Sequence, residues 1–86
     1  MNVSLENLGT VNKNKVNLQG KKGSLTIWFS YQTPVAFCSG WSKPVCRVND
    51  WSTTTGKLLN EIEPDKKERF EGVEFEKMLS KAISSL

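Results

Sequence analysis

The stretch SLTIWFSYQTPVAFCSGWSKPVCRV, residues Ser24–Val48, decides the fold. Ser24–Tyr31 is rich in β-branched and aromatic residues, which suit a pleated strand. Gln32-Thr33-Pro34 interrupts it, because proline cannot donate to a ladder and the chain must turn or bulge there. Val35–Cys38 resumes as a strand, Ser39–Pro44 is a loop, and Val45–Val48 is the last strand. A hairpin symmetric about Ser42 sets Cys38 opposite Cys46 and Ala36 opposite Val48. A tight turn at Gln32-Thr33 sets Ile27 opposite Cys38 and Phe29 opposite Ala36. Period-two alternation then collects Leu25, Ile27, Phe29, Ala36, Cys38, Cys46 and Val48 on one core face. Thr26, Trp28, Ser30, Val35, Phe37, Val45 and Arg47 fall on the other. If the interruption is instead a bulge in one long bent strand, the pairing changes but the parity along each piece survives.

Working outward, Gly9–Asn12 and Lys15–Leu18 read as short strands flanking a hairpin loop at Asn12–Lys15, and Gly20–Gly23 as a second turn. The β region thus spans 8–50. The cluster Asn49–Thr55 is rich in capping residues and opens a helix over 51–63, with Asp50 or Ser52 as N-cap. Leu58, Leu59 and Ile62 form its apolar side, and Gly56 weakens it by ~1 kcal/mol relative to alanine. Pro64 ends that helix, and Glu63–Glu71 is a charged turn or short helical piece. Over 72–86, Phe75, Met78, Leu79, Ala82 and Ile83 recur at i, i+3, i+4, i+7 and i+8, the stripe of an amphipathic helix. The expected architecture is one α+β domain over 1–86. A small antiparallel sheet or partly open barrel of four to five strands is followed by two C-terminal helices that cover one face.

Composition narrows the function. A chain of 86 residues holds one small core. With 37% hydrophobic and 24% charged residues and a mean hydropathy of −0.43, it reads as globular rather than membrane-embedded or low-complexity. The longest uncharged run, Gly23–Ser42, contains Ser, Thr, Gln, Gly and Pro and does not read as a span. The first residues show no basic segment followed by an apolar one, so no signal peptide is expected and the location is expected to be cytoplasmic. Absence of histidine removes His-based triads, His general bases and most catalytic zinc sites. Cys38 and Cys46 are too few for a disulfide scaffold and read as reduced, buried thiols. The carboxylates from Glu61 to Glu76 alternate with lysines, a solvated pattern with no pocket to raise a pKa. No catalysis, metal or cofactor is expected.

The net charge of +3 is uneven. Residues 1–48 carry six cations against Glu6 alone, a balance of +5, and residues 49–86 carry six cations against eight acids, a balance of −2. An anionic partner would be drawn to the first half. Trp28 and Phe37 on the second sheet face, with Arg47, Lys43 and Trp41 nearby, suggest stacking of single-stranded bases, with Tyr31 as a further ring. Lys21 and Lys22 join Lys43 and Arg47 as phosphate contacts. The plainer alternative is that this face is also core, covered by a helix or by the N-terminal hairpin. Thr54-Thr55-Gly56-Lys57 fails the phosphate-loop pattern at both ends. It leaves a weak anion site at Thr54, Thr55 and Lys57, against ordinary helix capping.

SYQTPVAF (Ser30–Phe37) followed by NDWSTTTGKLLNEI (Asn49–Ile62) is similar to a group of small proteins from bacteriophages, archaeal viruses and plasmids. In these, S-Y-x-T-P-V/I-A precedes a W-S-x-T-T segment that opens a helix. The resemblance covers about positions 26–62 and implies a viral or mobile-element origin and action inside a host cell. It carries no functional residues. Three partner classes follow: nucleic acid, a host or viral protein bound by an inhibitor or adaptor (an anti-defence or host-takeover protein), and a homodimer through the aromatic face. No membrane partner is expected.

Overall fold

The computed structural model describes residues 2–8, 13–40, 42–48, 53–64 and 66–86, and at 2, 53–56 and 66 the backbone alone. Each strand pairs antiparallel with its neighbour in sequence, giving an open sheet in the order β1 (Asn2–Asn7), β2 (Lys13–Gln19), β3 (Ser24–Ser30), β4 (Thr33–Ser39), β5 (Val45–Cys46). Two helices follow, α1 (Thr53–Ile62) and α2 (Gly72–Ser84), with a short 3-10 turn at Lys66–Glu68 between them. This is the expected α+β class. The N-terminus differs from expectation: Lys13–Lys15 lie in β2 rather than in a hairpin loop, and β1 precedes the expected β region. Its signal is the alternation Val3-Ser4-Leu5-Glu6. The expected strand at Gly9–Asn12 and the proposed caps Asp50 and Ser52 lie outside the described residues.

One apolar row crosses all five strands. Leu5 pairs with Val16, Val16 with Ile27, Ile27 with Phe37, and Phe37 with Val45. Partners across an antiparallel ladder share a face, so these side chains lie on one side. That side receives α2, whose Phe75 and Leu79 are buried against Leu25, Ile27 and Phe37. The rings of Phe37 and Phe75 lie 5.6 Å apart at 55°, a tilted arrangement that suits their quadrupoles. The opposite side carries Ala36 paired with Cys46, and α1 covers it with Leu58 and Leu59. Full burial of each of these large side chains contributes ~1.5–3 kcal/mol.

The two helices therefore take opposite faces of the sheet rather than covering one. The reason is the register of β3 on β4. The hairpin loop is Tyr31-Gln32, closed by Ser30 opposite Thr33, one residue earlier than the sequence suggested. Moving the loop by one residue changes the pairing by two and by itself keeps the β4 faces; the one-residue bulge at Val35 is the slip that moves the β4 side chains beyond it to the other face. Ile27 thus meets Phe37 instead of Cys38, and Trp28 meets Ala36. The expected parity within the β4–β5 hairpin, Ala36 with Cys46, is kept, although its register shifts by two residues. This change of face lies between Trp28 and Phe29: Phe29 pairs with Pro34, Trp28 with Ala36, and Val35 is the extra residue. Such a bulge turns two consecutive side chains toward one side. Val35 and Ala36 both pack against α1.

β5 is short, and the segment before α2 completes it. Val48 N–H donates to the Phe70 carbonyl and Phe70 N–H to the Cys46 carbonyl, both at 2.8 Å, forming a parallel bridge at Arg47 and Phe70. At the start of α2, Gly72 has no side chain because the Arg47 guanidinium occupies the space a Cβ would need.

Tyr31 holds φ at 58°, a left-handed conformation that costs a non-glycine residue about 1 kcal/mol. Its side chain is exposed, so it returns little packing. Tyr31→Gly is expected to stabilise the fold by ~0.5–1 kcal/mol, a rise of about 4 °C in Tm. Tyr31→Val, β-branched at the same φ, is expected to lower it. Thermal unfolding of the two variants beside the parent checks both signs.

Candidate functional site

The residues expected to form a stacking face do not converge. Phe37 and Trp28 lie on opposite sides of the sheet, because Ile27 and Trp28, to which they are tied by register, are adjacent in β3. Phe37 is 5% exposed and belongs to the core under α2; it offers no ring to a base. Trp28 is half-buried beside α1. It lines a cleft of about 460 Å³ with Leu8, Pro44, Leu58, Glu61 and Ile62. Trp41 and the side chains of Thr54 and Thr55 lie outside the described residues. Lys57 is exposed on α1, and Tyr31 is exposed at the β3–β4 turn.

The expected phosphate contacts divide in two. Lys43 lies 2.9 Å from Glu63 and 3.6 Å from Glu68, and this pairing holds its ammonium above the usual lysine range, the hydrogen bond to Glu63 being the largest cause. Arg47 is mostly buried over Gly72, with Glu76 at 3.8 Å. Arg69 donates to the Asn60 side chain at 2.8 Å and to the Glu63 carbonyl at 3.1 Å. These groups tie β5, the end of α1 and the charged linker together. They act as structural cations. Lys21 and Lys22 differ: both are exposed at the two-residue turn between β2 and β3, closed by Gly20 N–H donating to Gly23 O at 2.8 Å.

Neither thiol is poised as a nucleophile. Cys46 is buried against α1, and burial pushes its thiol up to about 11, Arg69 pulling it partly back. Cys38 donates to the Ser42 carbonyl at 2.8 Å, and burial raises it as well.

Two features went unseen in the sequence reading. On the α1 side, β1, β2 and β3 carry a polar ladder, with Thr26 donating to Asn17 at 2.9 Å and Lys15 paired with Glu6 at 3.5 Å. On the α2 side, Val3 and Leu5 extend the apolar rows beyond the helix and are 64% and 67% exposed. β1 ends the strand order, and among the described residues no strand lies beyond it. Leu8 N–H donates to Lys13 O, so by antiparallel alternation Glu6 and Ser4 also turn their main-chain groups toward β2. Those of Val3 and Leu5 then point outward from the edge.

Phe37→Ala is expected to cost ~3–5 kcal/mol through the cavity left against Phe75, enough to unfold much of a domain this size. Phe37→Leu retains the fold, and circular dichroism with urea titration separates them. For Cys46 the sign is fixed by a native value above the unfolded one. Between pH 9 and about 11 the unfolded thiol loses its proton while the native one keeps it, so stability falls as pH rises through that window. Unfolding curves of the parent should therefore decline more steeply there than those of Cys46→Ala.

Among the described residues no helix is long and apolar enough to cross a membrane. No curated protein and no solved structure matches the chain. A family model does match, over residues 3–77, from β1 into α2, and the chain thus belongs to DUF8033, a family of unknown function.

Proposed function

We propose that this chain is a non-enzymatic protein-binding module whose contact surface is the β1 edge of the sheet. The observation that carries the reading is the pair of exposed apolar side chains Val3 and Leu5 on an open edge strand. An exposed edge with outward main-chain groups is a template for adding another strand, and alternate side chains supply apolar contact. The absence of histidine and the raised thiols support a non-catalytic role. An inhibitor or adaptor acting inside a host cell, of viral or mobile-element origin, fits this reading, with the origin resting on the resemblance of Ser30–Phe37 and Asn49–Ile62.

Nucleic-acid binding keeps one specific support, the exposed Lys21-Lys22 turn on the +5 half of the chain. It has lost Phe37, and Lys43 and Arg47 face carboxylates of the chain itself.

Affinity capture from lysate with and without nuclease treatment, using the parent chain, Leu5→Lys and Lys21→Glu/Lys22→Glu, distinguishes the readings. A protein retained by the parent and lost with Leu5→Lys is the expected result. Retention that disappears on nuclease treatment and on Lys21→Glu/Lys22→Glu, with no Leu5 dependence, would overturn the proposal in favour of nucleic acid.

A further inference from the structure

We infer that the partner of the β1 edge is a second copy of this chain, docked strand to strand about a two-fold axis at Ser4. The inference rests on the protein-binding reading and names the occupant of the same edge. Val3 and Leu5 are the residues whose main-chain groups point outward. Run antiparallel against itself, β1 can set Val3 opposite Leu5 of the other copy, and Leu5 opposite Val3. Outward groups then meet outward groups, giving four main-chain hydrogen bonds, and Ser4 faces Ser4 on the axis in a wide pair. In this register every apolar side chain of the edge meets an apolar one.

Charge agrees with it. Glu6 is the only ionisable side chain in β1. The two-fold sets it opposite Asn2 of the other copy, so no like charges are paired across the seam. Each Glu6 keeps Lys15 of its own chain at 3.5 Å.

Closure is the third argument. The far edge of the sheet, at β5, is completed by Phe70 through two 2.8 Å hydrogen bonds. Among the described residues each chain therefore presents one open edge. A self-complementary patch used once per copy closes as a dimer, and no filament follows. The product is a ten-stranded sheet in which the row Leu5–Val16–Ile27–Phe37–Val45 continues into the row that starts at Val3 of the other copy.

Four hydrogen bonds and four apolar side chains bury less than the ~1,200 Å² of a standard stable interface. The dimer is accordingly weak and concentration-dependent. Sedimentation equilibrium of the full chain from about 10 μM to about 1 mM, a range set for such a weak interface, is expected to show the mass rising from 9.7 kDa toward twice that. Leu5→Lys should hold it at the monomer. Leu5→Pro should do the same, and because the N–H it removes points away from β2 the monomer keeps its ladder. Under mild oxidation Ser4→Cys should give a disulfide-linked dimer on non-reducing electrophoresis. Glu6→Cys, about 13 Å from its counterpart at ~3.3 Å per residue, should not.

A monomer at every concentration, a dimer indifferent to both Leu5 variants, or cross-linking through position 6 instead of 4 would overturn the inference. If the chain stays monomeric but lysate capture still depends on Leu5, the self-pairing fails and the protein-binding edge stands. If neither depends on Leu5, both fail.

Discussion

The fold depends on β4 being buried from both sides. Val35, Ala36 and Phe37 are consecutive and all within 5% of full burial. A strand alternates its faces, so three such residues in succession require cover above and below. α2 supplies one cover through Phe75 and Leu79, and α1 the other through Leu58 and Leu59. The bulge at Val35 lets both Val35 and Ala36 reach α1, and Phe37 is left to α2. A single helix-covered face could not hide all three residues.

That demand shapes what is left for function. A chain of 86 residues has few large apolar side chains, and two-sided burial takes Leu58, Leu59, Phe75 and Leu79 from its second half. Phe37 and Phe75 hold the α2 side, and Trp28 borders the α1 side. The cations are also partly committed: Lys43 and Arg69 fasten the linker to the end of α1, and Arg47 lies over the first turn of α2. The first half of the chain is +5 by sequence, yet its Lys43 and Arg47 sit against carboxylates from the acidic second half. The charge split that suggests an anionic ligand thus serves in part as internal attraction between the sheet and its helices.

Much of this was legible in the sequence, and the failure has one physical source. Element types, the turn at Gly20–Gly23, the apolar stripe of α2 and the side Leu58–Leu59–Ile62 of α1 follow from local pattern, which is what local pattern can carry. Register cannot be read that way: the turns Tyr31-Gln32 and Gln32-Thr33 are equally short and leave the same faces, and it is the one-residue bulge at Val35 that exchanges them. A preference against tyrosine at positive φ favours the wrong one. The exchange of faces is signalled by Val35-Ala36-Phe37-Cys38. Four apolar residues without alternation signal a strand covered on both faces, and reading them as an alternating strand produced a single core face. Once that is corrected, Phe37 moves from ligand surface to core. Val3 and Leu5 were missed because β1 is short and bordered by polar residues, and its role is visible only when the sheet order makes it an edge.

The two edges of the sheet are treated differently, and the difference bears on function. β5 is only two residues long, yet it does not end the sheet: the chain returns after a charged linker to lay Phe70 against it, and Lys43, Arg69, Glu63 and Glu68 hold that return in place. An edge is usually blunted by such cover, by proline, by lysine or by a bulge. β1 carries a single charge, Glu6, and among the described residues it has no cover, proline, lysine or bulge. It is longer than β5, regular through six paired residues, and carries its apolar side chains outward beyond the reach of α2. Leaving Val3 and Leu5 in water costs the monomer the stabilisation their burial would give, and a lysine at either position would remove the aggregation hazard without disturbing the core. An edge protected on one side and left apolar on the other is what a molecule needs if it must accept one strand, in one orientation, and no more.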